Sequence, residues 1–501
     1  MGRKKRLALN SASSLLYQVT TLVCGFIVPR LILSHFGSEV NGLVNSITQF
    51  LAVIAFLELG VGAVVQSSLY KPLADKDDIR TSKIIASANK FFRKLAVILL
   101  VYVVILIGIY PFVIEADFDF VYTATLIAAM SISSFAQYYF GVIDRLLLTA
   151  DQRGYIQYNS QTATLILNTI ACAVLINLGA GIQIVKLTTS LIYLARPIAL
   201  RLYVNKRYVI NRKITYTEEP IKQKWNGVAQ HVAAVVLDQT DTIVLTLFST
   251  LSNVSIYGVY FLVVNGVKNL FISLTSGVQA LLGELWAKQE IEELKKTFLW
   301  AEWAIHTGVV FVFGCTASLI ISFVRVYTNG INDANYIVPV FALLITLANG
   351  MHCLRLPYNI MILAGGHYKE TQSNYIIAAL LNIIISILTV RIWGLIGVAI
   401  GTLVAMIYQT VWMAWYDSNH FLNISLRVFF KHICIDTIGF VIAFLISRFI
   451  PLAGISYFHW IVQAIKIAAI WFAVVTVINV AFYREFINTA TNVFLKRIRR
   501  R

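Results

Sequence analysis

One apolar stretch near the middle of the chain, residues 254–282, carries a row of polar side chains at helical spacing. At 100° per residue these side chains fall within an arc of about 80° on one helix face. A lysine at the centre of a bilayer costs about 2.5–3.5 kcal/mol on insertion scales, so it is expected to face a water-filled cavity or a charged partner. The pattern predicts a substrate-binding cavity, with a polar seam between helices as the alternative. The face consists of Tyr257, Asn265, Lys268, Thr275 and Gln279.

A second polar face lies near the N-terminus, in the stretch 9–34, and ends at Pro29 and Arg30. It includes Gln18, Thr21 and Gly25. We assign Gln18 and Arg30 to the same cavity lining. Two other readings stay open, because small and hydroxyl residues also pack helices together and a long arginine side chain can extend to the membrane interface.

Three acidic residues are candidates for ion coupling or charge pairing. Asp238 and Asp241 are three residues apart on one predicted helix, and Glu58 lies in an earlier one. Two like charges in a dry site favour proton or cation uptake, but either aspartate could instead pair with Lys268. The sequence does not rank the remaining intramembrane charges, which are Lys186, Arg196, Glu302, Arg355, Asp436 and Lys466.

The chain lacks the short motifs that support catalysis. It has no HExxH or CxxC pair and no GxxxxGK[ST] loop, and these are the patterns typical of zinc hydrolysis, thiol redox chemistry and ATP hydrolysis. The five cysteines lie singly in apolar stretches, without metal-ligand spacing. We therefore predict a protein that is not an enzyme, with no metal and no cofactor.

The composition indicates what positions these polar groups. Of 501 residues, 58% are hydrophobic and 13% are charged, whereas soluble domains carry about 25% charged residues. Apolar runs long enough to cross a bilayer, roughly 20 residues each, occur about fourteen times between residues 9 and 482. The sequence therefore predicts an all-α polytopic membrane protein.

The basic residues predict the orientation of these spans. With the N-terminus in the cytoplasm, 32 of the 41 Lys and Arg residues fall in cytoplasmic segments, 3 fall on the opposite side and 6 lie within spans. The positive-inside rule then places both termini in the cytoplasm. A nucleic-acid partner is not expected, because the positive charges are distributed among short loops.

A weak internal repeat divides the predicted spans into two halves. Gly42 matches Gly258 at an offset of 216, and Gly179 matches Gly394 at an offset of 215. An even number of spans per repeat gives two bundles of the same orientation, an arrangement typical of transporters. The predicted domains are an N-terminal bundle of six spans at 1–204, a cytoplasmic linker at 205–226, a second six-span bundle at 227–417, and two further spans with a basic tail at 418–501.

Several short motifs carry a resemblance to a known family. They are Phe26-Ile-Val-Pro-Arg-Leu-Ile-Leu, Phe36-Gly-Ser-Glu-Val-Asn-Gly-Leu, Gln49-Phe-Leu, Leu57-Glu-Leu-Gly-Val-Gly and Leu69-Tyr-Lys-Pro-Leu, with Asp241-Thr-Ile-Val-Leu and Val254-Ser-Ile-Tyr in the second half. This pattern resembles the Wzx-type polysaccharide repeat-unit flippases, which share a superfamily with the lipid II flippase MurJ and the MATE exporters. The motifs are sharpest over residues 26–80.

The resemblance implies a function that the residues alone do not. It implies a flippase in the bacterial cytoplasmic membrane that moves undecaprenyl-pyrophosphate-linked oligosaccharides to the outer leaflet by alternating access, for capsular or surface polysaccharide synthesis. Polysaccharide polymerase and glycosyltransferase partners are implied with it.

Two other functions remain as alternatives. A MATE-like exporter of cations would use Asp238 and Asp241 for ion coupling. An integral-membrane glycan polymerase would need a larger outer loop than this sequence provides.

Overall fold

The computed structural model describes residues 3–53, 55–114, 118–221 and 228–487. Within these ranges the regular structure is helical throughout, and eleven helices are long and apolar enough to cross a membrane. The predicted all-α polytopic fold is confirmed. Large apolar side chains such as Phe112 and Phe472 are 79% and 66% exposed, which is typical of helix surfaces that face lipid rather than water.

The described chain forms two compact units, Met1–Ser255 and Ile256–Arg501. The predicted domain boundaries follow the sequence repeat rather than spatial contacts, so they remain predictions. The helices of the first unit are α1 (Arg3–Ala52), α2 (Ala55–Asp75), α3 (Asp78–Val113), α4 (Phe120–Ala136), α5 (Val142–Ala150), α6 (Gly154–Asn177), α7 (Ile182–Arg207) and α8 (Val228–Phe248), with a π-helical turn at Gln137–Gly141.

The helix α9 (Leu251–Ala287) begins at the end of the first unit and continues into the second. The second unit has a π-helical turn at Ser418–Leu422. Its remaining helices are α10 (Ile291–Tyr327), α11 (Pro339–Leu354), α12 (Leu356–Gly365), α13 (Gln372–Trp393), α14 (Leu395–Asp417), α15 (Leu426–Ser447) and α16 (Tyr457–Phe482).

Helix α1 joins two predicted spans across a bend at Gly37. The backbone there has φ 82° and ψ 179°, a conformation that is essentially restricted to glycine. The chain therefore changes direction at Gly37 without a loop.

Two helical hairpins, α6–α7 and α13–α14, are counterparts in the predicted repeat. Gly179 and Gly394 lie in the two turns with φ of 77° and 53°, and a left-handed backbone favours glycine there. Asn168 Nδ2 donates to Tyr193 Oη at 3.3 Å, while Asn382 Nδ2 donates to the Thr402 hydroxyl at 3.4 Å. In each hairpin a buried asparagine therefore links the two helices, and the two asparagines occupy matching positions of the predicted repeat.

Candidate functional site

The first unit encloses a cavity of about 560 Å³ among α1, α4, α6, α7 and the π-helical turn. Its volume is in the range of small-molecule binding sites. The lining residues are Thr21, Cys24, Gly25, Val28, Pro29, Thr48, Leu51, Ala52, Met130, Ser133, Ser134, Gln137, Tyr138, Leu165, Asn168, Lys186, Thr189, Ser190, Tyr193, Arg196 and Pro197.

Helix α7 supplies both cations of this cavity, Lys186 and Arg196. Its lining residues recur at helical spacing, whereas Ile184 and Leu191 of the same helix are each 54% exposed to the surroundings. One face of α7 is therefore polar and turned inward, and the opposite face is apolar.

The guanidinium of Arg196 has a defined orientation. Its Nε donates to the Thr164 hydroxyl at 2.6 Å, and its Cζ lies 3.7 Å from the centre of the Tyr193 ring. The ring contact and the hydrogen bond to Thr164 fix the guanidinium so that its remaining N–H groups can donate to an anion such as a phosphate. Pro197 follows directly in α7 and, because proline lacks an N–H, it leaves the carbonyl of Tyr193 without its usual helical donor.

Neutral polar groups surround the two cations. Ser190 donates to Ser133 at 3.4 Å across the cavity. Gln137 and Tyr138 are adjacent in the chain, and both line the cavity from the π-helical turn. A π-helical turn inside a helix is frequent at functional sites because it changes which side chains face inward.

The charge balance of the cavity is positive. Lys186 and Arg196 line the cavity, and no aspartate or glutamate is among the described lining residues. Two cations in a low-dielectric cavity are stabilised by an anion or by water that reaches them. The geometry thus suits a ligand that combines negative charge with hydroxyl or amide groups.

The polar face predicted on the first span lies partly on this cavity. Thr21, Gly25 and Pro29 line it. Gln18 is exposed and Arg30 is half-buried, and neither lines this cavity.

The polar face predicted on residues 254–282 lies mainly in the second unit, on α9. Tyr257 is buried and stacks on Phe261 with 5.5 Å between ring centres. Lys268 is 5% exposed, and its Nζ lies 5.6 Å from the centre of the Phe261 ring. Asn265 and Gln279 are half-buried. Their assignment to substrate binding stays a prediction.

The predicted acidic residues are only partly described. Asp241 is 2% exposed, on α8. The side chains of Asp238 and Glu58 lie outside the described residues. Ion coupling by these three residues likewise stays a prediction.

The sequence does not single out two groups of charged residues that the structure brings together. One is Lys186 with Arg196, whose signal was present as a polar face of α7 at spacings of three, four and seven residues. The other is a cluster of ionisable residues in the second unit, where His306 Nδ1 lies 2.8 Å from Asp436 Oδ2 and His432 Nδ1 lies 3.3 Å from Glu302 Oε1. The hydroxyl of Tyr358 also donates to Glu302.

Solved structures with the same fold are membrane proteins. The lipid II flippase MurJ in an inward closed conformation has a TM-score of 0.70 at 16% identity and covers 96% of this chain and 100% of its own. An inward-facing MATE multidrug-resistance transporter of the MOP superfamily has a TM-score of 0.68 at 14% identity and covers 80% of this chain and 94% of its own.

A third neighbour is a MOP-superfamily transporter from Pyrococcus furiosus, described as having a binding pocket of reversed polarity. It has a TM-score of 0.57 at 12% identity and covers 84% of this chain and 97% of its own. No family model and no curated protein sequence matches the chain. The chain therefore has the fold shared by MurJ and the MATE transporters.

Proposed function

We propose that this protein is a flippase for lipid-linked oligosaccharides. It moves an undecaprenyl-pyrophosphate-linked repeat unit from the cytoplasmic to the outer leaflet by alternating access, for the assembly of a capsular or surface polysaccharide. It acts in the bacterial cytoplasmic membrane with both termini in the cytoplasm, alongside glycosyltransferases and a polymerase.

The observation that carries this proposal is the cationic cavity of the first unit. A pyrophosphate diester carries about two negative charges, and guanidinium–phosphate pairs are strong and directional because the N–H groups form a planar fork. Lys186 and Arg196 match that charge, and no described residue lining the cavity opposes it.

The rest of the lining supports a sugar as the second part of the ligand. Sugar hydroxyls need hydrogen-bond partners and apolar ring faces, and binding sites meet both needs with amides, hydroxyls and aromatic rings. Asn168, Gln137 and Tyr138 supply these groups within the same cavity. A cavity of about 560 Å³ holds a headgroup and one or two sugars, while the lipid tail stays in the bilayer.

A MATE-like exporter of organic cations is the second candidate. It would be favoured by an acidic cavity, because a cationic ligand needs a carboxylate partner in a low-dielectric site. The described lining of the cavity has the opposite sign, which supports the flippase.

Deletion of the gene, followed by analysis of lipid-linked intermediates, tests the proposal. We expect complete repeat units to accumulate on undecaprenyl pyrophosphate and to stay accessible only from the cytoplasmic side. Accumulation of single, flipped repeat units would indicate a polymerase instead. Normal surface glycan together with increased sensitivity to cationic dyes would favour the exporter.

A further inference from the structure

A second, larger cavity of about 980 Å³ lies in the first unit between α3, the end of α7 and the segment after α7. It is separate from the cavity that contains Lys186 and Arg196, and the two share no lining residue. The lining residues are Ala86, Asn89, Lys90, Arg93, Lys94, Val97, Ile98, Arg201, Arg212 and Lys213.

Six of these ten residues are lysine or arginine, and none of the described lining residues is acidic. One carboxylate lies behind them: Asp144 is fully buried and pairs with Arg201 at 3.3 Å and with Arg212 at 2.5 Å. The carboxylate of Asp144 therefore offsets only part of the positive charge of the described lining residues.

Arg212 provides an independent indication that the cavity favours an anion. One of its guanidinium nitrogens, Nη2, donates to Asp144, while Nη1 is buried and has no hydrogen-bond partner among the described residues. Burial lowers the pKa of this guanidinium, Asp144 raises it, and the neighbouring Arg201 and Arg93 lower it again. A buried N–H donor without an acceptor is costly, and an anion in the cavity would accept from it.

The cavity lies where α3 changes from charged to apolar. Lys90 and Lys94 are exposed on one face of α3, and the following residues, 95–113, contain no charge. Val97 and Ile98 line the same cavity and are each 54% exposed. A ligand here would therefore meet cations at one end and an apolar helix surface at the other.

We propose that this cavity binds an anionic phospholipid of the bilayer, with its phosphate among the six cations and its acyl chains along Val97 and Ile98. Basic pockets between transmembrane helices at the membrane surface recognise such headgroups. Arg212 Nη1 donates to a phosphate oxygen, which satisfies the unpaired group. This site does not depend on the proposed cargo.

The test uses the full chain, purified in detergent and delipidated, then mixed with equal amounts of phosphatidylglycerol and phosphatidylcholine. Native mass spectrometry counts the lipids retained. We expect phosphatidylglycerol to be retained over phosphatidylcholine, and Lys90→Gln/Lys94→Gln to weaken its binding roughly thirtyfold, from the contribution of each cation near a phosphate surface. Both lysines are exposed, so this variant should fold.

A matched control removes two cations from the same helix bundle outside the cavity. Lys206 and Arg207 are exposed in the last turn of α7 and do not line it, so Lys206→Gln/Arg207→Gln should retain phosphatidylglycerol. Arg212→Lys keeps a charge beside Asp144 but lacks the second nitrogen, and it should bind the lipid about tenfold more weakly, the loss of one charge-assisted hydrogen bond.

Four results would overturn the proposal. Equal retention of the two lipids would show that charge is not recognised, and an equal loss in the control variant would show a general surface effect. Displacement by inorganic phosphate at the same concentration would identify a free-anion site. Displacement by an equimolar amount of undecaprenyl phosphate would assign the cavity to the transported lipid instead.

Discussion

Two buried sites, one in each unit, accommodate ionisable side chains in different ways. In the first unit, Lys186 and Arg196 line an open cavity that contains no described carboxylate. In the second unit, His306 lies against Asp436, and Glu302 accepts from Tyr358 and lies 3.3 Å from His432.

The difference separates two uses of ionisable residues in a membrane. Groups that are paired with each other hold helices together. The void next to Glu302 is about 20 Å³, enough for one water molecule, and the cavity of about 130 Å³ beside Asp436 is lined mainly by apolar side chains. Lys186 and Arg196 instead share a large void without a counter-charge among the described lining residues, an arrangement that favours an anionic ligand. The role of an intramembrane charge is therefore indicated less by its presence in a span than by whether another side chain neutralises it.

The largest effect should come from removing the cations of the first cavity. Lys186→Gln/Arg196→Gln should reduce export of lipid-linked glycan roughly hundredfold or more, because each charge-assisted hydrogen bond contributes about 1.5–3 kcal/mol. Surface glycan per molecule of membrane-inserted protein is the measurement. Lys466→Gln/Arg427→Gln, which removes two exposed cations, is the control and should leave export unchanged. Wild-type export by the cavity variant would contradict the ligand role.

Removing a paired charge from the second unit should lower the stability of the protein rather than impair transport directly. Glu302→Ala removes the carboxylate that Tyr358 and His432 both contact, and breaking a buried pair of this kind costs about 3–5 kcal/mol. Thermal unfolding in detergent should begin several degrees lower. Glu284→Ala is the matched control, because Glu284 is exposed and pairs with Lys288 on the surface of the same unit. An equal decrease in unfolding temperature in the two variants would contradict a stabilising role for the buried contacts of Glu302.

A smaller loss of stability is expected where helices of the second unit approach closely. A methyl group at Gly314 on α10 would overlap the Trp471 indole of α16, and such overpacking costs about 1–3 kcal/mol. Gly314→Ala should therefore lower the unfolding temperature and the amount of protein in the membrane. Gly108→Ala in the first unit meets no atom within 4 Å, so it should be neutral. If both glycines tolerate alanine, tight packing does not stabilise this helix pair.

The smallest effect on stability is expected from a substitution at Asp417, and it should be stabilising rather than destabilising. Its carboxylate is fully buried at the end of α14, and neither oxygen has a hydrogen-bond partner among the described residues. An amide is less costly to bury than an unpaired carboxylate, so Asp417→Asn should leave the protein as stable or raise its free energy of unfolding by about 1 kcal/mol. A clear loss of stability on chemical unfolding would show that this carboxylate has a partner after all.

Much of the architecture could be predicted because membrane helices are specified locally. Each span needs its own apolar run and its own internal backbone hydrogen bonds. For that reason the predicted spans fall on helices. Gly179 and Gly394, which correspond in the predicted repeat, both lie in turns with positive φ. The bend of α1 at Gly37 was not predicted, since glycine in an apolar run is equally compatible with a straight helix.

The sequence is less informative about the binding residues than about the helices. Thr21, Gly25 and Pro29 of the predicted face line the cavity, whereas Gln18 and Arg30, the two residues assigned to the lining, do not. Lys186 and Arg196 lie on a polar face of their own stretch, but the sequence does not show that this face lines a cavity, so they rank no higher than Glu302 or Asp436. The choice of Lys268 rested on periodicity within one helix, which shows that a face is polar but not what lies opposite it.

The sequence by itself therefore determined the fold class and the helical character of the spans, because hydrophobic length acts within a single segment. The tertiary structure alone decided which charges are neutralised and which are left facing a void. That outcome depends on side chains from helices far apart in the chain: α6 places Thr164 beside Arg196, whereas α15 places Asp436 beside His306. Electrostatic energy in a low-dielectric interior depends on these distances, and no single stretch of sequence contains them.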